Sequence, residues 1–314
     1  MSDFLKDWMV IVNPNAGSGK GGKLWPSISK MLLHEGFAFI PRFTTAPLEA
    51  TRFIMEAAEA GTRKFIIVGG DGTFHEAANG ILLQKVVAPS ELLLAVLPVG
   101  TGNDWSRMYE IPANPHQAVN IILKDQEYIQ DVCRVSYSTD TGKQNRFFIN
   151  LAGIGFDAEV VRRTNLSKQK GTGGKLLYFW HLLAALISLK TTEIHVRPDE
   201  GERIGKFFSI SIGLCRYKGG GMMTAPQAIP NDGLLDVTLI SAMGRLEIIR
   251  SLPLLFNGKI GTHKKVSLLR TKSAEVSSDD RVYLEADGEL LGFTPVNFEL
   301  IPSALRILVG RLPE

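Results

Sequence analysis

Along roughly the first 130 residues, short apolar runs alternate with segments whose apolar positions recur every three or four residues. The runs at 8–13 (WMVIVN), 37–43 (FAFIPRF), 65–68 (FIIV) and 93–97 (LLAVL) read as strands, and the segments near 22–35, 47–60, 74–84 and 115–124 as helices. That alternation predicts a parallel sheet with helices on its faces, a Rossmann-like α/β domain over residues 1–130. After residue 130 the pattern changes to short strand-like runs at 131–137, 146–152, 192–197, 207–214, 235–240, 266–270, 281–285 and 296–300. Turns such as Asp140-Thr141-Gly142, Asp199-Glu200-Gly201 and Asn231-Asp232-Gly233 separate them. Residues 131–300 therefore predict an antiparallel β-sandwich, with 155–190 as a helical exception. Residues 301–314 are expected to return to the first domain. No internal repeat is present.

Three glycine-rich segments follow three of the predicted parallel strands: NPNAGSGKGG, GGDGT and PVGTGND. In a sheet of this kind ligands bind beyond the carboxyl ends of the strands, so all three segments belong on one edge. The turn Gly69-Gly70-Asp71-Gly72-Thr73 sits between a buried strand and a helix start, where exposed N–H groups suit a phosphate. Its aspartate would repel a bare phosphate. Taken alone it reads equally well as a helix cap.

Other chemistries fit less well. GSGKGG matches the dinucleotide pattern at Gly17, Gly19 and Gly22, but the second strand does not end in the acid that would hold a ribose. The same stretch approaches a Walker A loop, yet Leu24 stands where Ser or Thr must bind magnesium. The six histidines and two cysteines show no zinc spacing. His75, at the start of the helix after GGDGT, reads as either a ligand contact or an exposed helix residue.

Composition narrows the class. Hydrophobic residues are 45% and charged residues 21% of the 314, an ordinary globular balance. A net charge of +3 is too small to imply a nucleic-acid partner. Cys133 and Cys215 cannot build a disulfide framework, and the N-terminus lacks a secretion signal, so a cytoplasmic location is expected. The longest apolar run, LLYFWHLLAALISL (176–189), falls short of the roughly 20 residues that cross a bilayer. It reads as a buried helix or as a helix near a membrane surface. The basic stretch 162–175 ahead of it reads as a solvated loop or as a surface for anionic headgroups.

Asn13-Pro14-Asn15-Ala16-Gly17, Gly69-Gly70-Asp71-Gly72-Thr73 and Leu97 through Asp104 together resemble the nucleotide-binding motifs of the diacylglycerol kinase catalytic family. Sphingosine and ceramide kinases share that family, and NAD kinases are more distant. The resemblance continues through FINLAGIGFDAEVV, KGGGMMTAPQAIPNDGLLDV and YLEADGELLG, in the order found in bacterial soluble lipid kinases. It implies ATP in a cleft between a Rossmann-like domain and a β-sandwich. Asn13, Pro14, Asn15, Ala16 and Gly17, with Thr44 (or Thr45), would contact the nucleotide. Gly70, Asp71, Gly72 and Thr73 would wrap the phosphates, and Thr101 would add a contact. With Mg²⁺ present the aspartate is no longer a puzzle, because an acid can hold the metal that neutralises phosphate oxygens.

The same resemblance makes Glu289, in Asp287-Gly288-Glu289, the general base, and Asp287 a magnesium or phosphate-zone partner. Asp-Gly is also a strong hairpin turn. Asp232, with the carbonyls of Ile229 and Leu234, would bind a structural Mg²⁺. Asp104 would join a charge network between the domains, with Lys20 as a candidate partner. The expected activity is an ATP- and Mg²⁺-dependent kinase acting on a diacylglycerol-like lipid, with transient membrane contact. A sphingoid base or NAD as acceptor, and a non-catalytic nucleotide- or lipid-binding module, are the rival readings. The oligomeric state stays open, a homodimer included.

Overall fold

The structure, a computed structural model, describes residues 7–169 and 191–313. Its first lobe runs β1 (Trp8–Val12), α1 (Ala16–His34), β2 (Phe39–Phe43), α2 (Glu49–Glu59), β3 (Lys64–Gly69), α3 (Asp71–Leu83), β4 (Leu93–Pro98), α4 (Asp104–Met108) and α5 (Pro115–Lys124). β2, β1, β3 and β4 lie side by side, each neighbouring pair parallel. β1 and β4 are buried along their whole length, and β3 apart from Lys64. Covered on both faces, they read as unbroken apolar runs, not as alternating ones. Each large aliphatic side chain so buried contributes about 1.5–3 kcal/mol. β2, at the edge, is mostly exposed and carries Pro41 and Arg42, residues an edge strand tolerates. α5 starts where the pattern predicts: Asn114 accepts the Gln117 N–H and Pro115 fills the first helical position.

The second lobe contains β5 (Glu127–Thr139), β6 (Gly142–Phe148), β7 (Leu151–Gly155), α6 (Phe156–Gln169), β8 (Thr192–Pro198), β9 (Arg203–Gly213), β10 (Tyr217–Lys218), β11 (Met222–Met223), β12 (Leu235–Ser241), α7 (Arg245–Phe256), β13 (Val266–Thr271), β14 (Ser273–Ser277), β15 (Tyr283–Ala286) and β16 (Glu289–Leu308). Its strand pairs are antiparallel. The run predicted at 146–152 is split between β6 and β7. The break falls where the backbone N–H groups of Ile149 and Asn150 turn to the Asp287 carboxylate. α7 and β14 were not predicted.

The two lobes are not closed off from each other as separate sheets. One hydrogen-bonded path runs β13-β12-β9-β7-β15-β16-β4-β3-β1-β2. β16 makes the join: it pairs antiparallel with β5, β14 and β15, and then parallel with β4 at Arg306–Leu93 and Ile307–Leu94. The apolar run 176–189 and the later part of the basic stretch lie outside the described residues. Among the described residues no helix is long and apolar enough to cross a membrane.

Candidate active site

The three glycine turns meet. Asn13, just beyond β1, donates its backbone N–H to Val68 (2.9 Å) and its side-chain amide to the Thr73 hydroxyl (3.0 Å). Its Oδ1 accepts the Asn15 N–H at 3.0 Å and so folds the first turn. Val99 N–H reaches the Gly69 carbonyl at 2.8 Å, joining the second and third turns. Glycine is required at one of these approaches, and another leaves little room for a side chain. A Cβ on Gly17, whose φ is +60°, would stand 2.1 Å from the Val99 carbonyl oxygen, and one on Gly70 would stand 3.1 Å from Gly100 Cα.

A cleft of about 320 Å³ opens beside these turns. Asn13, Asn15, Thr44 and Thr73 line it from the first lobe, and Arg146 and Glu289 from the second. Thr45 also borders it, but its hydroxyl and N–H are both donated to Glu49, at 3.0 and 2.6 Å. The hydroxyl of buried Thr44 has no partner among the described residues, so Thr44 is the better placed of the two to meet a ligand. Glu289 is the exposed first residue of β16, presented by the tight turn at Asp287 (φ 49°) and Gly288 (φ 83°). Its Oε1 lies 3.7 Å from where a Cβ on Gly72 would stand. Pro14, Ala16, Gly17, Gly70, Gly72 and exposed Thr101 belong to the turns but not to the wall of this cleft.

Asp71 opens α3 behind the second turn. It accepts the backbone N–H groups of Asp104 and Trp105, each at 3.3 Å, and has no ion pair among the described residues. Burial, with the Asp104 carboxylate as the next cause, pushes its pKa up to about 6. Asp104 spans the lobes through the Gly220 N–H (2.7 Å), with Arg107 at 3.7 Å; Lys20 is not its partner. One Asp104 oxygen is buried with no hydrogen bond. Two crowded carboxylates, one with an oxygen that accepts no hydrogen bond and has only Arg107 at 3.7 Å, are hard donors of the kind a divalent cation takes, although among the described residues no group of three such side chains is gathered there.

Two expected site residues have other work. The Asp287 carboxylate does not face a metal or a phosphate. It accepts three backbone N–H groups, of Ile149, Asn150 and Leu151, and meets His75 Nδ1 at 2.8 Å. Its lone pairs are spent on holding the turn that carries Glu289. In the loop 229–234, Arg270 occupies the place of the expected cation. One oxygen of Asp232 pairs with the Arg270 guanidinium and the other accepts the Leu234 N–H at 3.1 Å, while the Ile229 carbonyl takes the Asp232 N–H at 3.4 Å. Both Asp232 oxygens are therefore engaged within the protein. In α6, Arg162 and Arg163 both grip Glu159 at 2.7 Å, which reduces the basic surface expected from that stretch.

The sequence missed two contributors and left a third open. His75, read as either a ligand contact or an exposed helix residue, is fully buried and borders the cleft. Arg146 carries no motif, since only the β5–β6 pairing brings it to the cleft. Behind the Asp287 turn, Lys218 lies between Glu285 and Asp157 (3.0 Å to the latter), and Glu285 accepts the Gly288 N–H at 3.0 Å. Burial works against the Lys218 charge, but Asp157 and Glu285 outweigh it and hold its pKa above the ordinary value.

Phosphate-suited turns at one sheet edge, faced by a carboxylate from a second lobe, define a phosphoryl-transfer cleft. Comparison with known proteins gives that class its family. Residues 7–135 match the diacylglycerol kinase catalytic domain, and residues 150–309 match the YegS C-terminal NAD kinase beta sandwich-like domain. The Serratia proteamaculans protein named "Probable lipid kinase YegS-like" is 30% identical over 97% of this chain and 93% of its own. A Mycobacterium tuberculosis diacylglycerol kinase is 28% identical over 96% and 94%. A crystal structure of a diacylglycerol kinase from Bacillus anthracis superposes with a TM-score of 0.74 at 22% identity, covering 100% of both chains. The chain belongs to the diacylglycerol kinase family and is a lipid kinase.

Proposed function

We propose that the chain transfers the γ-phosphoryl group of ATP to the hydroxyl of a diacylglycerol-like lipid, in the cleft between a Rossmann-like lobe and a sandwich lobe. The observation that carries this reading is the single cleft lined by Asn13, Thr44 and Thr73 from one lobe and by Glu289 from the other. Asn13, Asn15 and Thr44 hold the nucleotide, while Gly70 and Gly72 present N–H groups to its phosphates and Thr73, whose N–H is donated to the Gly70 carbonyl, offers its hydroxyl. Asp71 and Asp104 are the residues that would hold magnesium. When bound, the ion neutralises β- and γ-phosphate oxygens.

Glu289 takes the proton of the lipid hydroxyl as that oxygen bonds to phosphorus and the bond to ADP breaks. The products are ADP and a phosphorylated lipid. Exposure leaves Glu289 able to reach a substrate arriving from outside. The lipid is met at a membrane surface, where the protein docks transiently.

The test incubates the purified protein with labelled ATP, Mg²⁺ and a total lipid extract, with NAD offered in parallel. Label in a lipid of the mass of a phosphorylated diacylglycerol is the expected result. Label in NAD, or in neither, rejects this acceptor.

A further inference from the structure

We infer that Arg146 contacts the phosphoryl groups of the bound nucleotide, and that His75 is the residue that aims it. This rests on the kinase reading above and deepens it. Among the described residues that line the cleft, the charged side chains other than Arg146 are Glu76 and Glu289, both acidic. A triphosphate cannot settle between two carboxylates without a compensating cation. Beside any bound magnesium, Arg146 is the one Lys or Arg side chain among the described residues that line the cleft, delivered from β6 by the lobe that also carries Glu289.

Its aim is fixed from behind. Arg146 Nε donates to His75 Nε2 at 3.2 Å, and the Asn79 amide lies 3.3 Å from the same nitrogen. Nε2 is therefore the acceptor nitrogen of a neutral ring whose proton sits on Nδ1, donated to Asp287 at 2.8 Å. Asp287 in turn is held by three backbone N–H groups. The relay Asp287–His75–Arg146 spends only the Nε of the guanidinium. Its two terminal nitrogens have no partner among the described residues, and these are the donors that grip phosphate oxygens in pairs.

The experiment measures binding of ATP, with Mg²⁺, and of adenosine to the wild-type chain and to R146A, R146K and H75L, with thermal melts as the folding control. R146A weakens ATP binding roughly ten- to a hundredfold, the loss of one charge-assisted contact, and leaves adenosine unchanged. R146K recovers part of the loss. H75L shows the same ATP-selective defect. Equal weakening of ATP and adenosine, or none, overturns the inference while lipid phosphorylation by the wild type keeps the kinase reading intact. Wild-type protein that binds no ATP overturns both. Should H75L fail to fold, the two Arg146 variants decide the matter alone.

Discussion

His75 Nδ1 lies 2.8 Å from Asp287 Oδ2, and both side chains are almost fully withdrawn from water, at 1% and 3% exposure. One residue belongs to the helix that opens with Asp71, the other to the turn that presents Glu289. Two motifs separated by 212 positions are thus held at a fixed spacing by one hydrogen bond. Replacing Asp287 by Ala leaves three backbone N–H groups and one imidazole N–H without an acceptor. The expected cost is about 3 kcal/mol or more, read from chemical denaturation. A loss below about 1 kcal/mol would remove the anchoring role of this carboxylate.

Glu289 touches none of that scaffold. Glu289→Gln should therefore keep the melting temperature and the affinity for ATP, and lower the transfer rate by about two to four orders of magnitude. Labelled-ATP turnover on the accepted lipid checks it; activity near the parent level removes Glu289 from the base position.

Asp71 links activity to pH in a defined direction. Its folded pKa is raised, mainly by burial, to about 6. Its unfolded value is the ordinary, lower one, so the folded chain binds the extra proton between the two. The stability this group contributes is present below the unfolded pKa and is lost as pH rises through about 6. At pH 8 without metal, Asp71→Asn should be more stable than the parent by about 1–2 kcal/mol, the difference shrinking towards pH 4. The same variant should lose kinase activity, and added Mg²⁺ should raise the melting temperature of the parent only.

Lys218 is a mostly buried charge, its side chain 17% exposed, between two acids, and Glu285 also fastens the Gly288 N–H. Lys218→Met strands both carboxylates and should cost roughly 3–5 kcal/mol. A stability change under about 1 kcal/mol would show that the pair is not held as drawn.

Gly17→Ala combines an unfavourable φ of +60° with a 2.1 Å approach to the Val99 carbonyl. It should cost about 2–4 kcal/mol and weaken ATP binding by displacing the first turn from the third. Native stability with native ATP affinity would contradict the contact between these turns.

What the sequence disclosed follows from range. β1, β3 and β4 were readable because a strand covered on both faces needs an unbroken apolar run, and α5 because Asn114 and Pro115 mark its start locally. α7 escaped because RLEIIRSLPLLF carries Pro253 within it, and β14 because SAEVS is short and half polar. The cleft residues Asn13, Thr73 and Glu289 sit in motifs whose chemistry is local. Asp287 shares a motif with Glu289, and an acid in such a motif looks like a metal partner. Nothing nearby in sequence shows that Ile149, Asn150, Leu151 and His75 all converge on it. The reading of His75 stayed open between a ligand contact and an exposed position because the face of α3 that carries it is covered by β6 and by the Asp287 turn, which lie far away along the chain. Arg270, facing Asp232 from another strand, was hidden for the same reason.

The way β16 is strung has a bearing on how the molecule is assembled. β4 has its partner on one side, β3, as soon as the early segment collapses. The strand that covers its other side arrives only about 210 residues later, at Arg306 and Ile307. During synthesis the early lobe must wait with an open, sticky flank until the polypeptide is nearly finished. Closing that flank and setting Glu289 in place should form a single late event, because Glu289 heads the same strand. Pulse-labelled hydrogen exchange on the refolding chain should accordingly find β4 protected after β1 and β3, in step with β16.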